Sequence, residues 1–288
     1  MGTLIVGDMH CKMSHLMPLV DLSIRYIKTG TERVIFLGDY MDDYQVDDES
    51  NFSALEVFVE WVEYKRAHGM QIDVLVGNHD LPYFLQRYPF DTSMFLLEEG
   101  EVTKLLKDKL HVQAATTVET EEGSVLCTHA GLTKTWAGAF MGKQAFSVQD
   151  ATDELNAMLY DDRADYFHQI GYLSGGHNKS SSPLWAGAIE LQKDAYPGFF
   201  GQIVGHTAVN TIKQIQSESG EMLFFCDTLS VKGGEHLFEC AIGDGSLLYV
   251  NDHDEIGCIR EFNTLFNRLV LFYCVEQEVS TLKKHGLG

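Results

Sequence analysis

Positive charge, proline, paired cysteines and long apolar runs are all scarce in this sequence. Lys and Arg total 21 against 42 Asp and Glu, for a formal charge of −21. A balance of that sign repels polyanions and anionic bilayers at long range, which argues against nucleic-acid and membrane partners and favours solubility. It is also what a site built to hold cations leaves behind. Only 5 prolines and 26 glycines occur in 288 residues, which excludes collagen-like and low-complexity chains. No run approaches the roughly 18 apolar residues a bilayer crossing needs. Met1-Gly2-Thr3-Leu4-Ile5-Val6-Gly7-Asp8 has neither a basic n-region nor a cleavage pattern, so the expected compartment is the cytoplasm. The six cysteines include no C-x-x-C pair and read as buried free thiols, not a disulfide framework. With 45% apolar residues, a chain of this length can bury a core without such staples.

What is present is a repeated pattern. Leu4-Ile5-Val6 runs into Gly7-Asp8-Met9-His10, Val34-Ile35-Phe36-Leu37 into Gly38-Asp39, and Ile72-Asp73-Val74-Leu75-Val76 into Gly77-Asn78-His79-Asp80. Val125-Leu126-Cys127-Thr128 ends in His129-Ala130-Gly131, and Ile203-Val204 in Gly205-His206-Thr207. Each is a short strand buried on both faces and stopped by glycine or a polar group. Five strands thus deliver Asp, Asn or His from their C-terminal ends.

Between the second and third strands, Ser53-Ala54-Leu55-Glu56 fits a capping box opening a helix, and Gly69 is placed to stop it. Leu55, Phe58, Val59 and Val62 fall on one face of that helix. Strand–helix–strand alternation predicts a layered α/β core. Further on, His111–Glu119 and Gly123–Thr128 read as strands joined by an acidic turn, and Met222–Asp227 and His236–Ile242 as another pair. The fold expected is therefore α/β, two packed mixed β-sheets flanked by helices. Leu173–Ser182, rich in Gly and Ser, is the expected mobile loop.

Singly, a Gly-Asp or a Gly-His is a turn. Together, Asp8, His10, Asp39, Asn78, His79, His129 and His206 gather oxygen and imidazole donors at strand ends, where α/β sheets place their ligands. A mixed O/N donor set suits Mn²⁺, Fe or Zn²⁺, whereas Ca²⁺ and Mg²⁺ favour oxygen alone.

The ordered motifs Gly7-Asp8-Met9-His10, Gly38-Asp39-Tyr40-Met41-Asp42, Gly77-Asn78-His79-Asp80, Thr128-His129-Ala130-Gly131 and Gly205-His206-Thr207 resemble the calcineurin-like metallophosphoesterase superfamily over about residues 3–240. The nearest likeness is to the phosphoprotein-phosphatase branch, with its bacterial and phage serine/threonine phosphatases and symmetrical diadenosine tetraphosphate hydrolases. The resemblance implies two divalent or trivalent transition metal ions, Mn first and Fe or Zn as alternatives. Asp8 and His10 would hold one ion, Asn78, His129 and His206 the other, and Asp39 would bridge them. A hydroxide held between the metals would attack phosphorus. His79 would be the general acid for the leaving oxygen, with Asp42 orienting it.

Two departures touch the substrate. The branch follows its dyad aspartate with Arg-Gly, and here Asp43-Tyr44 stands there; the arginine of a Trp-x-Arg stretch is replaced in Trp185-Ala186-Gly187. Bidentate guanidinium contacts to phosphate are missing at both positions, and Lys12, Arg87 or Arg163 are the candidates to replace them. The acidic stretch 42–49 disfavours a polyanion. The expected enzyme is a metal-dependent phosphoesterase acting on a phosphorylated protein or small phosphoester. Hydrolysis of a dinucleoside polyphosphate is the alternative, and a non-hydrolytic metal- and phosphate-binding module the alternative of another class. Residues 1–264 form the expected catalytic domain and 265–288 a C-terminal appendage.

Overall fold

In the computed structural model, which describes residues 2–27, 30–42, 48–86, 99–142, 146–230, 243–251, 253 and 255–269, the five apolar runs with chemistry at their ends are all strands. The strands are β1 (Thr3–Val6), β2 (Arg33–Phe36), β3 (Gln71–Val74), β4 (Ala115–Thr120), β5 (Gly123–Thr128), β6 (Gly201–Val204), β7 (Lys213–Gln216), β8 (Met222–Phe225), β9 (Leu247–Val250) and β10 (Ile256–Ile259). They form two five-stranded mixed sheets, in the orders β10-β9-β1-β2-β3 and β4-β5-β6-β8-β7. Within the first, β1, β2 and β3 run parallel, with Ile5 beside Ile35 and Val34 beside Ile72. Within the second, β5, β6 and β8 run parallel. The expected strand 236–242 lies outside the described residues.

The helices are α1 (Met13–Tyr26), α2 (Asp48–Ala67), α3 (Leu81–Leu85), α4 (Glu99–Lys104), α5 (Lys134–Phe140), α6 (Val148–Tyr160) and α7 (Ala188–Asp194). Alternation along the strands assigns the layers. Ile5, Ile35, Val125, Cys127, Ile203 and Leu248 point between the sheets and form the inner core. Leu4, Val6, Val34 and Phe36 face outward into a second core shared with α1 and α2, while Val204, Leu223 and Phe225 are covered by Leu191 and Ala195 at α7. Strands buried on both faces read as unbroken apolar runs for this reason. Each fully buried Leu, Ile or Val contributes about 1.5–3 kcal/mol.

Two local expectations change. Helix α2 begins at Asp48, so Ser53 and Glu56 stand inside it and form no capping box. The interior face is as expected, with Leu55, Phe58 and Val62 fully buried, and the helix ends at Gly69, whose φ of +88° is the left-handed turn. Nor is 173–182 a loose connection. Glu190, 2% exposed at the start of α7, accepts hydrogen bonds from the hydroxyls of Ser174 (2.6 Å), Ser180 (3.2 Å) and Ser181 (2.6 Å) and from the Ser181 N–H (2.7 Å). One carboxylate ties the loop to the helix that follows it. Glu190→Ala is expected to cost about 2–4 kcal/mol, since four donors lose a charged acceptor. A lower melting temperature and faster proteolytic nicking within 171–187 are the measurements, and an unchanged nicking rate would refute the tie.

Candidate metal centre

Parallel strands of the two sheets end at a common edge. The N–H of Gly205, after β6, donates to the carbonyl of His129, after β5, at 2.8 Å. A Cβ on Gly205 would lie 2.1 Å from Asp8 Oδ1, so the loop after β1 closes on the loop after β6. Gly38, at φ +111°, likewise leaves no room, since its Cβ would fall 2.9 Å from His129 Nδ1. Five other residues around this edge, His10, Cys11, Asp39, Asp42 and His206, hold φ between 37° and 62°. Non-glycine residues in that region cost about 1–3 kcal/mol each and cluster where surrounding structure forces them, typically at functional sites.

Asp39 stands at the middle. Its Oδ2 lies 3.6 Å from His10 Nε2 and 3.4 Å from His129 Nε2, and its Oδ1 accepts the backbone N–H of His79 at 2.9 Å. Two groups of side chains could each hold a cation: Asp8, His10 and Asp39, and Asp39, His129 and His206, with the ligand atoms of each group within 4.8 Å of one another. Asp39 belongs to both. Asn78 completes the second group, its Oδ1 lying 2.8 Å from both His129 Nε2 and His206 Nδ1. All six residues expected as metal ligands are thus brought together at one edge.

The donor chemistry fits a cation. His129 donates Nδ1–H to the Leu37 carbonyl at 2.8 Å, which fixes its ring and turns Nε2 toward Asn78 and Asp39. His10 donates Nδ1–H to the Asp42 carbonyl at 3.0 Å, leaving Nε2 toward Asp39. Carboxylate, amide and imidazole acceptor atoms therefore converge, and of the three ligand rings it is His129 that takes up a proton. Burial opposes that proton, yet Asp39 and Asp8 raise His129 to about 10. At His10 and His206 burial prevails, lowering them to about 4 and about 3, so both rings offer lone pairs, and a cation held by the second group would take the place of the His129 proton. Against burial, cationic His129 and His79 hold the Asp39 carboxyl well below the usual carboxylate range.

Beside this group, His79 Nδ1 faces Asp42 Oδ2 at 3.2 Å. Burial works to lower His79, but Asp39 first and then Asp42 raise it to about 9. The pair expected from the sequence is assembled, and two residues that the sequence did not single out support it. Tyr83 in α3 donates its hydroxyl to Asp42 Oδ1 at 2.7 Å. Asp80, fully buried, accepts the N–H groups of Gly77 (2.8 Å), Asp39 (2.8 Å), Tyr40 (2.9 Å) and Met41 (3.1 Å). One carboxylate thereby fixes the loops after β2 and β3 against each other, and its place in Gly77-Asn78-His79-Asp80 was the available signal.

The candidates for a phosphate clamp fare differently. Lys12 is 2% exposed and donates to the His10 carbonyl at 3.1 Å, so its amine braces the loop beneath the centre and does not meet solvent. Near it Asp227, also 2% exposed, is bound by the Ser230 hydroxyl at 2.7 Å. Arg163 is committed to Asp161 and Glu154. Asp43 and Arg87 lie outside the described residues. Where a clamp arginine would stand, Gly187 donates its N–H to Ser174 Oγ at 2.8 Å, and the neighbouring Trp185 ring packs edge-on against His206 at 5.8 Å.

The chain belongs to the calcineurin-like phosphoesterase family, whose model matches residues 1–209. It is a hydrolase of the metallophosphoesterase kind, a family that works with divalent metals. No curated protein matches the sequence. Among solved structures, the cold-active protein-tyrosine phosphatase of a psychrophilic Shewanella species is similar, with 13% identity over 89% of this chain and 80% of that one and a TM-score of 0.49. An archaeal phosphodiesterase shows 9% identity over 90% and 99%, with a TM-score of 0.35. The nuclease MPE of Pseudomonas putida shows 11% over 89% and 87%, with a TM-score of 0.31. Likeness at these values assigns neither substrate nor reaction to this chain. Among the described residues no helix is long and apolar enough to cross a membrane.

Proposed function

We propose that the chain is a dinuclear metal-dependent phosphomonoesterase of the phosphoprotein-phosphatase branch, acting in the cytoplasm on a phosphorylated protein or a small phosphoester. The observation that carries this reading is the sharing of one carboxylate, Asp39, by two cation-ready groups of side chains. In it Asp8 and His10 hold one ion, Asn78, His129 and His206 the second, and Asp39 both, with residues 1–264 as the catalytic domain and 265–288 as an appendage. Phe266, at the start of that appendage, is fully buried in the core.

When bound, two transition metals, Mn²⁺ first by the family resemblance, would supply Lewis-acid charge at the phosphoryl oxygens and a water acidic enough to ionise near neutral pH. The rest falls to the protein. Deeply buried Asp39, Asn78 and His129 form the floor, while His10, His79 and His206 are only partly buried and line the open side. His79 turns Nδ1 to Asp42, so as the general acid it carries the proton it delivers on Nε2, the nitrogen turned away from Asp42. That proton is available to the leaving oxygen as its bond to phosphorus breaks, and water consumed in the reaction restores it. With no arginine at the positions the branch uses, recognition of the phosphate rests on the metals, which favours a simple monoester over a polyphosphate chain.

Chelator-treated protein reconstituted with Mn²⁺, Zn²⁺ or Fe²⁺ and assayed on an aryl phosphomonoester, an aryl phosphodiester and diadenosine tetraphosphate tests the proposal. Metal-dependent turnover highest on the monoester is expected. Preference for the dinucleotide would replace the substrate class with the dinucleoside polyphosphates. Tight metal binding without turnover of any of the three would leave a binding module.

A further inference from the structure

Tyr83 raises a question of its own, because packing alone does not call for its hydroxyl. The side chain is fully buried in the first turn of α3, and a phenyl ring would fill the same space. Burying a hydroxyl is unfavourable without a partner, and this one has a charged partner: Oη donates to Asp42 Oδ1 at 2.7 Å while Asp42 Oδ2 faces His79 Nδ1 at 3.2 Å. The two oxygens of one carboxylate are thus divided between two side chains four residues apart in sequence. Asp42 needs holding, since it is 1% exposed and sits at φ +62° on the loop after β2. Tyr83 is itself held: its carbonyl accepts the hydroxyl of Thr103 in α4 at 2.7 Å.

We propose that Tyr83 is a positioning residue for proton delivery, acting through Asp42 on His79. The phenol fixes the rotation of the Asp42 carboxylate, so that its other oxygen stays in line with His79 Nδ1 and the imidazole presents Nε2 outward. Its hydrogen bond also stabilises the carboxylate as an anion. Asp42 accepts the hydrogen bond from His79 Nδ1, and the opposite ring nitrogen, Nε2, is the one turned toward the leaving oxygen. No atom of Tyr83 meets the substrate. This inference rests on the general-acid reading of His79 and extends it to a residue that the sequence pattern did not mark.

Tyr83→Phe keeps the ring and removes only the hydroxyl. With metal content and thermal unfolding measured on the same samples, kcat and KM are compared for an activated aryl phosphomonoester and an alkyl phosphomonoester. The expected result is a fall in kcat of about tenfold on the alkyl ester, the scale of a lost hydrogen bond to a charged group. The activated ester should lose little, with KM and bound metal unchanged on both. Equal losses on the two esters, a changed KM or lost metal would make Tyr83 merely structural, and no loss on either would make it idle. His79→Asn, run beside it, separates the two claims. If His79→Asn shows no leaving-group dependence, the general-acid reading fails; if it does and Tyr83→Phe does not, only the role of Tyr83 fails. Should Tyr83→Phe prove unstable, the double variant with Asp42→Ala decides. Acting through Asp42, the hydroxyl has no further effect on leaving-group dependence once Asp42 is gone, and an additional, independent effect would overturn the proposal.

Discussion

Asp39→Asn is expected to abolish phosphoester hydrolysis and to strip metal from the protein, at nearly constant side-chain volume. The carboxylate works in three directions: Oδ2 lies 3.6 Å from His10 Nε2 and 3.4 Å from His129 Nε2, and Oδ1 accepts the His79 N–H at 2.9 Å. An amide cannot replace it in either rotamer. With its NH₂ at the Oδ1 position, donor faces donor at His79; with its NH₂ at Oδ2, hydrogens point into the space both cation-ready groups share. The negative charge common to those groups is lost as well. Neighbouring groups that only orient ligands commonly change metal affinity by about 10–100-fold when removed, so loss of a shared ligand should exceed about 10²-fold. Metal stoichiometry after gel filtration and titration calorimetry with Mn²⁺ measure it. Full activity of the variant, or of chelator-stripped wild type, would sink the shared-carboxylate reading.

How much of this centre can be read without coordinates depends on how far apart the interacting residues stand in the chain. The strand ends are legible because each couples a local signal, a short apolar run rich in β-branched residues, to a local stop, which settles the choice between strand and buried helix that an unbroken apolar run leaves open. Asp8, Asp39, Asn78, His129 and His206 follow directly. The supports are less legible: the motif marks the position of Asp80 but not what it holds, and nothing marks Tyr83. Asp80 reaches Asp39, Tyr40 and Met41 across about 40 residues, and Tyr83 reaches Asp42 across 41. Neither side chain is of an unusual type for its place, an aspartate before a helix and a tyrosine within one. Glu190 looks like an ordinary surface residue of an amphipathic helix, and the glycines and serines of 173–182 look like slack, until the carboxylate is seen to gather three hydroxyls. Lys12 failed in the opposite sense. Its charge and its closeness to His10 suggested a phosphate contact, whereas burial turns its amine to the His10 carbonyl. Ser-x-x-Glu does not locate the start of α2, because it is compatible with a helix interior as well as with its first turn, and packing of the Leu55–Val62 face is served by either.

The division of labour between metals and protein leads to a second large effect, in His79→Asn. Burial disfavours the imidazolium, and Asp39 first and then Asp42 overcome it, raising His79 to about 9; in the loaded centre it is Asp42, at 3.2 Å from Nδ1, that holds the ring. Asn keeps a polar side chain of similar reach, and the backbone N–H on Asp39 is untouched, so the metal centre is expected to stay loaded. Only the transferable proton goes. General acid catalysis is worth about 10²–10⁴-fold where the leaving group is basic. An alkyl alkoxide, unable to depart without a proton, should show that loss in full, while an activated aryl oxide, stable as an anion, should show little of it. A plot of log kcat/KM against leaving-group pKa is therefore expected to steepen in the variant and to meet the wild-type line at the acidic end. Parallel lines would assign the loss to something other than proton donation. A variant that loses metal as well would make His79 a support of the centre, with Asp42 and Tyr83 acting on its position and not on its proton.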